Sequence, residues 1–185
     1  MGERKKLSRL VFIALFASLI SAGAFITIPL GHIPLVLQNF FTLLSGLVLG
    51  PVMGAAAVAL FLVAGAIGLQ VFSHSGSPMG IARFVGPTGG FLFGYLLGAL
   101  VAGLIAGFPR PGEKTPIWRL ALAALAGMLA VYVPGLIRMK FVLDTDWART
   151  FAIGFVPFIA GDAIKGVAAA LIAPRLRRIA SQLLA

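Results

Sequence analysis

Cysteine is absent and acidic residues are scarce: the 185-residue chain has no Cys and five Asp+Glu against 15 Lys+Arg. Without Cys there is no disulfide framework and no thiol catalysis. His32 and His74 are the two histidines, and neither has a Cys or acidic partner at ligand spacing. They read as loop histidines at a membrane face rather than a metal site. Charge of either sign is rare, at 11% of residues, where a globular protein carries about 25%. No GxxxxGK[ST] run occurs, so the chain does not hydrolyse ATP itself. HExxH and GxSxG are missing too, which excludes the usual metalloprotease and serine-nucleophile signatures. No cofactor, metal or enzyme activity is expected.

What fills the sequence instead is apolar surface, 60% hydrophobic residues with a mean hydropathy of +1.06. A soluble domain of this length could not hide so much, whereas lipid can surround it. The net charge of +10 would in a polar protein suggest nucleic acid. Here the cations cluster at the ends of apolar runs that are themselves nearly bare. That is the pattern of a membrane protein with its positive loops in the cytoplasm.

A transmembrane helix needs about 20 mostly apolar residues, and six candidates follow one another. They cover about Leu10–Ile28, Leu35–Leu49, Val52–Phe72, the GPTGG turn to Ala106, Ile117–Val133 and Thr150–Ala173. Pro29, Gly50-Pro51, PRPGEKTP and RMKFVLDTDWAR punctuate them. The start, with basic residues before LVFIALFASLI and SAGA, also has the look of a secretory signal. Charge counting favours a retained first helix. With both termini inside, ten cations fall on the cytoplasmic side and only Arg83, Arg138, Lys140 and Arg149 outside. The expectation is an all-α integral membrane protein, a six-helix bundle in one domain over 1–185, with N- and C-termini cytoplasmic.

The sixth run contains FIAGDAIKG, with Asp162 and Lys165 three apart on one helix face. Ionisable groups so deep in a bilayer are costly and mark a substrate path, or else a structural ion pair. Pro157 lies five residues before the acid and can break the helix and open its backbone to a cavity. Gln38 and Asn39 are a second polar pair, near the outer end of the second run. Their amides suit a neutral cyclic urea or amide, and equally a cross-helix hydrogen bond. In GPTGG, Gly86 to Gly90 lets backbone approach a ligand or another helix closely. Small residues recur every fourth position at Gly90, Gly94, Gly98, Ala102 and Ala106, a ridge for packing within the molecule. Ala14, Ser18 and Ala22 form a like stripe on the first helix, open to internal packing or to a partner subunit.

Three blocks, IPLVLQNFFTLLSGLVLGPVMGAAAVALFLVAGAIGLQVF, FVGPTGGFLFGYLLGAL and FIAGDAIKG, taken in order and spacing, resemble the BioY family. These are the biotin-specific S components of energy-coupling factor (ECF) transporters. The resemblance implies a multi-pass protein of a prokaryotic cell membrane that captures biotin from the outer face. It implies that Asp162 accepts from the ureido N–H groups and that Lys165 is a cationic donor. Gln38 and the GPTGG backbone would be supporting positions, with Arg83 a second candidate for the carboxylate. Ala14, Ser18 and Ala22 would meet the transmembrane coupling subunit, which works with two ATPase subunits. Other readings are an S component for riboflavin or thiamine, an assembly subunit with a purely structural Asp162–Lys165 pair, and an intramembrane enzyme lacking its second catalytic group.

Overall fold

The computed structural model describes residues 2–28, 35–73 and 80–184. His32 and His74, and the Pro29 and GHIP punctuation, lie outside them. The fold is a helical bundle: α1 (Gly2–Gly23), α2 (Gln38–Leu49), α3 (Pro51–Ala66), a short α4 (Ala82–Val85), α5 (Gly89–Ala106), α6 (Ile117–Leu143), α7 (Trp147–Gly154) and α8 (Ile159–Leu184). Between α1 and α2 the backbone forms a small antiparallel ladder, β1 (Thr27–Ile28) against β2 (Leu35–Val36). It pairs the two ends of a loop that would otherwise leave its N–H and C=O groups unmatched.

Among the described residues three helices, α1, α5 and α6, are long and apolar enough to cross a membrane, and α7 and α8, bent by 53° at their break, meet the same test when taken together. The bend falls at Phe155–Phe158, around Pro157, whose ring and missing N–H interrupt the ladder. Helices α2 and α3 are apolar but have only 12 and 16 residues, about 18 and 24 Å at 1.5 Å per residue.

Several boundaries differ from expectation. Helix α1 starts at Gly2 and stops at Gly23, α3 stops at Ala66, α6 runs ten residues past Val133 to Leu143, and α8 runs on to Leu184. Pro134 and Pro174 therefore sit inside helices. Neighbouring helices and side chains re-satisfy the freed carbonyls in a bundle, so these prolines do not end the helices. Helix α6 instead stops at Asp144, in the left-handed region with φ 48°. Two residues on, Asp146 caps α7 by accepting from the Arg149 N–H at 2.7 Å.

Helix α2 is the centre of the bundle. Ten of its twelve residues are buried, and it touches α1, α3, α5, α6 and α8. Gly50, at φ 81°, turns the chain directly into α3, which opens on Pro51. The small-residue ridge of α5 packs on α6. A Cβ at Gly90 would strike the Pro134 carbonyl, and one at Gly94 the Val131 carbonyl. This is the close backbone approach that holds helices together where no water drives them. The Ala14, Ser18 and Ala22 stripe takes the opposite part: it is exposed along α1, while Phe16, Ala17 and Ile20 face inward.

Candidate functional site

Asp162 and Lys165, near the start of α8, are both buried and form an ion pair at 2.9 Å. Asn39 of α2 completes a triangle. Its Nδ2 donates to Asp162 Oδ1 at 2.8 Å, and its Oδ1 accepts from Lys165 Nζ at 2.9 Å. The second carboxylate oxygen accepts from the Tyr132 hydroxyl of α6. Three helices are thereby joined at one carboxylate. Each member is paired, which is the condition for burying such groups.

This cluster lines an open cavity among the helices. Its polar wall also includes Gln38, Ser73, Arg83 and Thr88. Phe72, Phe91, Leu92, Tyr95 and Phe158 supply apolar surface. Arg83 is buried and donates to the Ser73 carbonyl at 2.7 Å. Burial lowers its pKa from the ordinary value, against a smaller opposite effect of Tyr95, and a guanidinium remains charged. Edge-on ring contacts of Tyr132 with Phe91 and Phe155 hold the phenol in place.

Tyr132 and Asp162 also border a second, open hollow between α6 and α8, with Phe155 at its edge. Its other walls are nearly all apolar, among them Leu125, Leu129, Ile159 and Val167. The Tyr132–Asp162 contact thus stands between a hollow that holds polar groups and one that is otherwise apolar.

Of the residues singled out from sequence, Asp162, Lys165, Asn39, Gln38 and Arg83 meet around one cavity. Gly86 does not line it, and the GPTGG turn contributes Thr88 instead. Tyr132 and Tyr95 gave no signal, because a tyrosine in an apolar run reads as ordinary helix surface. Among the described residues no three His, Cys, Asp or Glu side chains gather as a metal site.

A second buried cation lies on α8 far from the cavity. Arg177 donates to the carbonyls of Leu47, Ala106 and Gly107 and to the Thr115 hydroxyl. It thereby ties the ends of α2 and α5 to α8. Arg119 adds a bond to the Ile105 carbonyl at 2.6 Å. These are carbonyls left unpaired where helices end, and cations are favoured there.

Fold and site together define a helical membrane protein with an open, partly charged cavity among its helices. The sequence model of the BioY family matches residues 1–182. The biotin transporter BioY of Thermotoga maritima is 42% identical, covering 92% of this chain and 96% of its own. A probable biotin transporter BioY of Pyrococcus horikoshii is 36% identical over 93% and 98%. Among solved structures, the crystal structure of the S component for biotin from an ECF-type ABC transporter superposes with a TM-score of 0.82. It is 28% identical and covers 96% of this chain and 95% of that one. The chain belongs to the BioY family.

Proposed function

We propose that this chain is the biotin-binding membrane subunit of an ATP-driven ECF-type importer, taking biotin from the outer face of a prokaryotic cell membrane. It is a transport protein and not an enzyme. The observation that carries the reading is the Asn39–Asp162–Lys165 cluster on an open cavity in a chain of this family. Biotin combines a neutral urea, an apolar ring and an anionic tail, and the cavity wall has a counterpart for each. Asp162 accepts from the ureido N–H groups, supported by Asn39 and Lys165, while the phenylalanines and Tyr95 enclose the ring. Arg83 takes the carboxylate. Lys165 is already engaged by Asp162 and Asn39, whereas Arg83 meets one acceptor among the described residues.

The chain crosses the membrane six times in this reading, by α1, α2, α3, α5, α6 and the bent α7–α8 pair, with both termini cytoplasmic. The ten-to-four distribution of cations supports that orientation. The exposed Ala14, Ser18 and Ala22 face a transmembrane coupling subunit, which two ATPase subunits energise.

Biotin binding to the purified, detergent-solubilised chain, beside riboflavin and thiamine, tests the function. Tight and selective biotin binding is expected, and well-folded protein that ignores biotin would sink the proposal. Because the chain has no Cys, single cysteines test the topology. Gly112→Cys should react with an impermeant thiol reagent only from the cytoplasmic side and Thr145→Cys only from outside, and the reverse pattern would refute it.

A further inference from the structure

Two enclosed polar atoms stand out at the cavity. Gln38 Nε2 and Thr88 Oγ1 lack a hydrogen-bond partner among the described residues, and both residues line the cavity. Gln38 is only 2% exposed. Their neighbours differ, since Asn39, Asp162, Lys165 and Tyr132 are satisfied by one another. Thr88 is the less ordinary of the two. It stands at the N-cap of α5, where a threonine hydroxyl usually accepts a bond from the first turn. Here its backbone is helical, at φ −88° and ψ −6°, and the side chain makes no cap bond. The helix it precedes does not use the hydroxyl. Buried polar groups are nearly always paired, so each exception needs a reason.

We infer that Gln38 and Thr88 form a neutral second subsite of the cavity, which reads an acceptor oxygen of the ligand apart from the charged cluster on α8. The inference rests on the ligand-binding reading above. Gln38 Nε2 can only donate and the Thr88 hydroxyl can donate, so their complement is an oxygen with free lone pairs. A carboxylate and a urea carbonyl both supply one. A ligand N–H arriving at Asp162 competes with three donors already in place. An oxygen arriving at Gln38 Nε2 and Thr88 Oγ1 displaces no bond of these two atoms among the described residues. A compound without that oxygen leaves the two donors unpaired, and such a site rejects it strongly.

Thr88→Val and Gln38→Met replace the polar atoms with apolar groups of similar size. Biotin affinity of the purified full chain by calorimetry, and its Tm without ligand, are the two readouts. Each variant should bind biotin about tenfold more weakly, the worth of one hydrogen bond, while Tm stays level or rises because an unpaired group is gone. A purely structural role would lower affinity and Tm together, and that result, or unchanged affinity, overturns the inference. Wild-type protein that fails to bind biotin overturns the ligand reading itself, so the two failures are distinct. The analogue of biotin whose tail ends in a methyl group, with no oxygen there, identifies the oxygen. If the Thr88→Val deficit vanishes with it, the pair reads the carboxylate; if it persists, the urea carbonyl. Either result supports the subsite.

Discussion

Helix α8 carries two buried charged sites that solve one problem differently. At Lys165 the cation has a carboxylate beside it at 2.9 Å and borders a cavity. Twelve residues on, about 18 Å along the helix, Arg177 has no carboxylate bonded to it among the described residues and is met by carbonyls and one hydroxyl. Helix α2 runs between the same two places, offering Asn39 to the first and the Leu47 carbonyl to the second. The difference teaches that burial of charge alone does not announce a ligand site. A charge whose surroundings are filled by protein is a fastening. A charge in a polar network with empty space beside it can serve a visitor.

Three substitutions break or sharpen this contrast. Arg177→Met carries the largest expected effect on stability. It orphans three helix-end carbonyls, at about 1–3 kcal/mol for each buried acceptor, so thermal melts should show at least about 3 kcal/mol of destabilisation. Biotin affinity of the folded fraction should stay at the wild-type value, and a selective loss of binding would erase the distinction. Lys165→Met comes next. It should weaken biotin binding by about 1–3 kcal/mol, the cost of unpairing a buried polar group, and calorimetry that found full affinity would remove Lys165 from the site. Gly166→Ala is the smallest. A Cβ there meets nothing within 4 Å, so Tm should rise slightly, in line with the helix preference for Ala over Gly of about 1 kcal/mol. A large loss would show that the open space beside α8 is used.

The same contrast explains what the sequence disclosed. Asp162 and Lys165 stood out because two ionisable residues at helical spacing in an apolar run have few innocent explanations. Gln38 and Asn39 were legible for a similar reason. Tyr132 was not, because its role depends on α6 passing α8, which no local pattern records. Arg177 was hidden by its position, since an arginine after a hydrophobic run reads as a topology signal whether it faces water or four acceptors. The expected ends at Val133 and Ala173 fall just before Pro134 and Pro174, which lie inside helices. A proline breaks an isolated helix, but packing against neighbours carries α6 and α8 through it.

The wall between the two hollows has an electrical meaning. Tyr132 and Asp162 stand with a polar cavity on one face and an apolar recess, lined for hydrocarbon, on the other. The carboxylate therefore lies between a wall that offers it polar partners and one that offers none. A molecule that filled the cavity would exclude water from it, and attraction between Asp162 and its donors would strengthen as the local dielectric constant fell. Occupancy and the cohesion of the α2–α6–α8 junction would rise together, each tightening the other.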